Sequence, residues 1–260
     1  YTNGGRGDCF YISDIPRGIL IKGKDTKVTT LFGTQMEGTS YDLTEKVNHS
    51  FPTSVYYPIN HTFDSIVSSY MSTYAQWVKI LDNHSAQKIW IPVSGYIAAN
   101  MAATDAVYGP WYAAAGLNRG IVSATDVAFS PTMAQAGAIY EKNWNYAINY
   151  PQDGIVLEGQ KTFQTKPSAL DRVNVRRMML RLERQVYKTI RYFVYENNTA
   201  YTRQRAIDAI DPILKAAWQA GNGGIARYKI VCDESNNTAD VIDRNKLKCD
   251  IAFKFNIDDK

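Results

Sequence analysis

The clearest hydrophobic pattern in the chain lies between Pro167 and Asn197. At about 100° per residue, Val175, Met179, Leu182, Val186, Ile190 and Phe193 gather on one side, and Arg177, Arg181, Arg184, Lys188 and Arg191 gather opposite them. That spacing predicts one long helix with a core face and a basic face. Pro167 and Ser168, with Asp171 three residues on, have the spacing of a capping box and predict its start.

The same reading predicts the elements on either side. In the first half, Ser54 to Ile59 reads as a strand and Thr62 to Lys79 as a helix, with Phe63, Ile66, Val67, Tyr70, Tyr74 and Trp77 near helical spacing. Lys88 to Val93 reads as a strand, and Gly95 to Val107, rich in alanine, as a helix packed closely on a sheet. Ala128 to Asn149 reads as a helix, Tyr150 to Gly154 as a turn dividing the halves, and Ile155 to Phe163 as a strand. Strand, helix and strand in alternation predict an α/β layer. Residues 22–50, rich in Gly, Thr, Lys and Asp, read as a loop.

After the basic helix, Thr199 is placed to cap a further helix to Ala220, with Ile207, Ile210, Leu214 and Trp218 inward, Pro212 inside it and Gly221 ending it. Arg227 to Asp233 and Leu247 to Ile257 follow as strands. In the second, Leu247, Cys249, Ile251, Phe253, Phe255 and Ile257 alternate with mostly polar residues, which predicts an antiparallel sheet buried on one side. The fold class is therefore α/β in residues 1–153 and α+β in residues 154–260, with helices packed on a mainly antiparallel sheet.

Charge sharpens the picture at one place. Between residues 168 and 192, seven cations (Arg172, Arg176, Arg177, Arg181, Arg184, Lys188, Arg191) face two acids (Asp171, Glu183), a net of +5 in a chain of +4 overall. The excess sits on one helix, as on a docking surface. With 260 residues, 45% of them hydrophobic, the chain is long enough to bury a core. No apolar run is long enough for a membrane span. Cys9, Cys232 and Cys249 are an odd number at wide spacing, which indicates neither a disulfide framework nor a zinc site, and they are expected as buried free thiols.

Four ordered segments carry a family resemblance. They are Trp90 to Gly95; Asp105 with Gly109 to Gly120 (GPWYAAAGLNRG); Leu170 to Arg177 (LDRVNVRR) followed by Tyr192 to Asn198; and Val231 to Thr238 with Val241 to Asn245. Together they resemble the C-terminal region of contractile tail sheath proteins of tailed bacteriophages, most closely those of large T-even-like and giant phages. Arg6 to Ile12 is similar to a core strand of that family's α/β domain. The resemblance implies a subtilisin-like α/β sheath layer in residues 1–153 and the C-terminal sheath domain in residues 154–260.

It also implies a structural role, in which subunits stack as six-membered rings around a tail tube and contract to drive it through the host envelope. Expected partners are neighbouring sheath subunits, the tail tube protein, and baseplate and tail terminator proteins, with no cofactor, no membrane insertion and no nucleic acid. The expected location is the virion tail, and the host cytoplasm during assembly. The chain opens at Tyr1 and closes at Lys260, and it is expected to be a protease-resistant type of fragment, monomeric without the sheath's terminal arms. Arg177, Arg181, Arg184, Lys188 and Arg191 are the candidates for meeting an acidic tube.

Candidate chemistry is sparse. His49, His61 and His84 each follow an asparagine and precede Ser or Thr, without metal-ligand spacing. Those triplets match the glycosylation acceptor pattern, as do Asn197-Asn198-Thr199 and Asn236-Asn237-Thr238, but the implied bacterial setting leaves them idle. The Arg6-Gly7-Asp8 triplet is a common match to an adhesion motif. A serine hydrolase would need a Gly-x-Ser-x-Gly elbow, and Ser94-Gly95 after Pro92 lacks that context. Gly221 to Gly224 precedes a strand, where a phosphate loop would precede a helix. The alternative function is a nucleic-acid-binding module using the basic helix, for which no aromatic stacking platform is evident beside the arginines.

Overall fold

The computed structural model describes residues 7–14, 28–29, 35–36, 66–84, 86–128, 130–131, 133–141, 143–219 and 223–256. The chain divides into two compact units between Arg176 and Arg177.

The first unit is built on a mixed five-stranded sheet in the order β1-β4-β9-β10-β7. Its strands are β1 (Tyr11–Asp14), β4 (Met71–Tyr74), β7 (Ile121–Val122), β9 (Trp144–Tyr150) and β10 (Gly154–Glu158). β1 and β9 run parallel to β4, and β10 is antiparallel to both β9 and β7. A second, antiparallel sheet joins β5 (Trp77–Leu81) to β6 (Lys88–Pro92) and to β8 (Asp126–Val127). β2 (Val28–Thr29) and β3 (Gln35–Met36) form a short antiparallel pair. Helix α1 (Ser94–Val107) buries Ile97, Met101 and Thr104 at the expected i, i+4, i+7 spacing. Helix α2 (Met133–Glu141) precedes β9. Tyr74, Val78, Val93, Ile97, Val122, Ala147, Leu157 and Val173 belong to one core cluster.

Two expectations for this unit are corrected. Residues 66–79 do not continue a helix from Thr62; they form β4 and most of β5, while residues 62–65 lie outside the described ones. All four residues of β4 are buried, and a strand covered on both faces has no period of two to read. The spacing of Tyr70, Tyr74 and Trp77 then imitates a helical stripe. Likewise, the helix expected over 128–149 is confined to α2, because Asn143 takes a left-handed φ of 59° and the aromatic run that follows extends as β9. The predicted strand at 54–59 lies outside the described residues, as do His49 and His61, and of residues 22–50 only β2 and β3 are described.

Tyr150 to Gly154 is a hairpin turn joining β9 to β10 in one sheet. The boundary drawn at 153/154 therefore falls inside a hairpin, and the compact units part at Arg176/Arg177 instead.

The long amphipathic helix is α3 (Val173–Ile190), followed by a 3-10 turn at Arg191–Phe193. Its start differs from the capping-box expectation. Ser168 makes no side-chain cap bond; it precedes a separate 3-10 turn at Ala169–Asp171, after which Arg172 is extended and pairs with Lys161. That extended residue is what delays the helix to Val173.

In the second unit, Thr199 caps helix α4 (Ala200–Trp218) as expected, its Oγ1 accepting from the Thr202 amide at 3.2 Å. Ile210 and Leu214 are buried and Ile207 and Trp218 half-buried. The helix runs through Pro212 and ends at Gln219, which is left-handed, with Gly221 outside the described residues. Strands β11 (Ile225–Val231) and β12 (Asp250–Phe255) pair antiparallel, and β12 alternates exposed and half-buried residues as its sequence predicts. Trp218 Nε1 donates to the Ala226 carbonyl and Tyr228 donates to Asp211, tying α4 to β11. A short helix α5 (Ala239–Asp243) lies between the strands.

The cysteines overturn the free-thiol expectation. Cys232 and Cys249 form a disulfide, and Cys9 is free but exposed. With Val231 opposite Asp250, the next pair along the ladder is Cys232 and Cys249, at a Cα–Cα distance of 4.5 Å. That is the separation of directly facing, non-hydrogen-bonded strand residues. The wide sequence spacing hides this because it is spent on the loop between β11 and β12.

Candidate docking surface

The seven cations of the basic stretch separate by environment. Arg172 donates to the Tyr140 hydroxyl at 2.7 Å and lies 3.4 Å from Asp171. Arg176 is buried, donates to Ser69 and stacks on the Tyr70 ring at 4.1 Å. Arg177 is half-buried. Arg181, Arg184, Lys188 and Arg191 are exposed. Of the five predicted interface residues, the structure thus brings four together on a solvent-facing stripe and draws the first one inward. Of the expected core face, Val175 and Leu182 are buried and Met179, Val186, Ile190 and Phe193 half-buried, while Met178, outside that stripe, is buried too.

What the sequence reading missed is aromatic. Tyr187, Tyr192, Tyr195 and Tyr201 are all exposed, and Arg205 lies over Phe193 at 5.6 Å and over Tyr201 at 5.7 Å. The signal was present as tyrosines standing outside the apolar stripe.

The segment leading into α3 is held by side-chain amides. Asn145 donates to the Lys161 carbonyl at 2.9 Å and accepts from the Lys161 amide at 2.8 Å, and Val173 donates its amide to Gln160. Asn174 donates to the Trp111 carbonyl at 2.9 Å. The glycine-rich run that includes Trp111 is fixed in turn at Gly120, where a Cβ would meet the Gly116 nitrogen at 2.7 Å and the Leu157 carbonyl oxygen at 2.8 Å. Only glycine lets that loop bond to β10, through Leu157 to Gly120 and Gly116 to Leu157, both at 2.8 Å.

In the second unit a polar knot closes the mouth of the β11–β12 hairpin. Asn237 donates to the Lys248 carbonyl and accepts from its amide, both at 2.8 Å, and Asn198 donates to Asn237 at 3.1 Å and to the Lys246 carbonyl at 2.8 Å. Arg203 donates to Asn198 at 3.0 Å and pairs with Glu234. The linker that follows the basic stripe is thereby fastened.

At the one serine weighed as a nucleophile, the Ser94 amide donates to Asp14 at 3.0 Å, so Asp14 serves the start of α1, which has no cap of its own. Among the described residues no group of three or more His, Cys, Asp or Glu is placed to hold a metal ion. No described helix is long and apolar enough to cross a membrane.

No family model matches the chain. Curated proteins do. It is 34% identical over 174 residues to the tail sheath protein of Vibrio phage KVP40, covering 66% of this chain and 26% of that protein. It is 34% identical over 188 residues to that of Salmonella phage ViI (72% and 30%) and 35% over 167 residues to that of Enterobacteria phage T4 (64% and 25%). The chain thus spans between a quarter and a third of the length of these relatives. Among solved structures, the sheath complex of an extracellular contractile injection system, PVC, in its contracted state matches with a TM-score of 0.66 at 23% identity, covering 74% of this chain and 54% of that one. The helical sheath of the anti-feeding prophage in its contracted state matches with a TM-score of 0.65 at 24% identity and the same coverage. The fold is that of contractile sheath subunits.

Proposed function

We propose that this chain, whose sequence relatives are phage tail sheath proteins, is part of a structural subunit that stacks as hexameric rings around a tail tube and contracts to drive the tube through a host envelope. The observation that carries the reading is the 34% identity over 188 residues to a tail sheath protein, on a fold shared with contractile sheaths. Its relatives point to a structural, non-enzymatic role and to a place in the virion. Its partners in this reading are neighbouring sheath subunits, the tail tube, the baseplate and the tail terminator. Assembly takes place in the host cytoplasm, and the 260-residue chain alone is monomeric. The work of contraction comes from subunit contacts held in a metastable packing until released.

Within that reading, Arg181, Arg184, Lys188 and Arg191 meet an acidic tube surface, with Arg177 at the buried edge of the stripe. A single exposed ion pair is worth roughly 0–1 kcal/mol, so one contact decides little. Repetition around each ring and along the stack multiplies it. Weak contacts also suit a sheath that must slide on contraction.

Electron microscopy tests the assembly. Long striated hollow cylinders are expected from the whole protein, and discrete particles that never polymerise would overturn the reading. Reversing Arg181 and Arg184 to Glu is expected to leave folding intact and to impair coating of tail tubes; normal coating by that variant would remove the stripe from the docking role.

A further inference from the structure

Resting on the sheath reading above, we propose that the docking surface is completed by an aromatic collar at the end of α3, formed by Tyr187, Tyr192, Tyr195, Tyr201 and Arg205. Its partner is the same acidic protein surface that the arginine stripe meets. The collar gives the contact a component that salt does not screen.

The observations are of exposure, continuity and backbone. Tyr187 is 67% exposed, Tyr192 84%, Tyr195 102% and Tyr201 72%, with Val194 also exposed between them. Four tyrosines in fifteen residues are held out to solvent, and tyrosine is enriched at protein interfaces. The collar meets the basic stripe at Tyr187. Tyr187 stands on the helix three residues after Arg184 and four before Arg191, so it is their neighbour on the surface. Arg205 reaches across the 3-10 turn to lie over both Phe193 and Tyr201, which carries the positive charge onto the first turns of α4.

The backbone supplies the third observation. Tyr195 adopts a φ of 81°, a left-handed conformation that L residues with bulky side chains rarely take. Glycine would occupy it without strain, and the side chain that prevents this is fully exposed in the chain alone. Backbone outliers of this kind cluster at functional sites.

The chemistry selects an acidic protein surface. Phenol hydroxyls donate to carboxylates while the rings cover apolar surface, and the guanidinium groups pair with the same carboxylates. Between residues 177 and 205 the exposed charges are five cations (Arg181, Arg184, Lys188, Arg191, Arg205) and two acids (Glu183, Glu196). A purely ionic surface loses its hold at high salt, where the Debye length falls to about 3 Å at 1 M. An aromatic one retains part of it.

The test is co-sedimentation of the whole sheath protein with bare tail tubes of its own virus, at about 0.1 M and about 1 M NaCl. The wild type is compared with Arg181→Glu/Arg184→Glu, with Tyr192→Ser/Tyr195→Gly and with Tyr195→Gly alone, whose thermal midpoint is also read. Wild type is expected to keep measurable binding at high salt. The double tyrosine variant is expected to bind at least tenfold more weakly at both salt concentrations. Tyr195→Gly is expected to weaken binding while its thermal midpoint stays level or rises, which a merely structural tyrosine would not allow. If charge reversal abolishes binding and the tyrosine variants bind as wild type, the collar is overturned while tube docking stands. If neither set matters, the tube reading of this surface falls as well. Tighter binding to a short DNA duplex than to tubes, lost in the same variants, would overturn the partner's class.

Discussion

In the first unit, β4 is buried along its whole length and takes polar side chains into the interior with it; in the second, β12 is exposed at every other residue and its polar ties lie at the hairpin's mouth. Ser72, Thr73, Gln76 and Asn145 are all buried. Gln76 and Asn145 act as pieces of main chain. Gln76 donates to the Ala147 carbonyl at 2.9 Å and accepts from the Ala147 amide at 2.8 Å, extending the pairing of β4 with β9 by one rung after the strand has ended. In the second unit the ladder is closed instead by a covalent bridge, by the half-buried Asn198 and Asn236, and by Asn237, which is buried. A sealed sheet specifies its register through buried amides, where each missing bond is costly. A half-open hairpin adds a covalent constraint on the chain itself to one buried asparagine, and water competes for its outer polar ties.

The largest effect is expected where the buried amide is removed. Gln76→Leu keeps the volume but leaves the amide and carbonyl of Ala147 without partners, at about 1–3 kcal/mol each, or about 2–6 kcal/mol together. Denaturant unfolding followed by tryptophan fluorescence should show that loss. A cost under about 1 kcal/mol would mean that Ala147 finds other partners, and the contrast between the units would lose its main support.

The second unit should respond instead to reduction. The bridge spans a sequence separation of 17 residues, and loop-closure entropy for such a loop amounts to about 3 kcal/mol. Reductant is expected to lower the thermal midpoint of the wild type but not of Cys249→Ser, with faster amide exchange confined to β11, β12 and the loop between them. Cys9→Ser, at an exposed free thiol, should change nothing. Equal sensitivity of Cys249→Ser to reductant, or loosening spread over the first unit, would break the comparison.

The same difference explains what could be read from the residues. α3, α4 and β12 each bury one side, and each was legible because one-sided burial writes a period into the sequence; α1 was legible from its run of small residues. Most of the candidate surface followed: Arg181, Arg184, Lys188 and Arg191 face solvent as their spacing predicted. β4 was misread because burial on both faces erases the period, β9 because its aromatic run follows directly on a helix, and polar residues such as Gln76 and Asn145 look like surface until the main chain they serve is in place. The disulfide was hidden for a related reason. Strand pairing brings Cys232 and Cys249 together, and no local pattern encodes pairing across a loop. Tyr195 was invisible because its peculiarity lies in φ, which no side-chain pattern records.

The smallest expected effect is one of sign, carried by one carboxylate in each unit. Burial holds the Asp14 carboxyl above its ordinary 3.8, against hydrogen bonds from Ser94 and the Val93 amide that pull it down. The folded chain therefore binds that proton more tightly than the unfolded chain does. Asp14 adds stability as pH falls through its raised folded value, fully so below 3.8, and carries a penalty for its ionised form above that window. Asp233 is the reverse. It is exposed, and bonds from the Ser235 hydroxyl and amide hold it below 3.8. Its contribution is present above 3.8 and is lost as pH falls through the lowered folded value. Carboxyl NMR titration should find the two groups displaced in opposite directions. Asp14→Asn should remove a share of stability that grows toward acid, and Asp233→Asn a share that shrinks toward acid, read as denaturation midpoints from about pH 3 to pH 6. If both groups titrate on the same side of the ordinary value, burial in the first unit does not penalise charge as its sealed sheet implies.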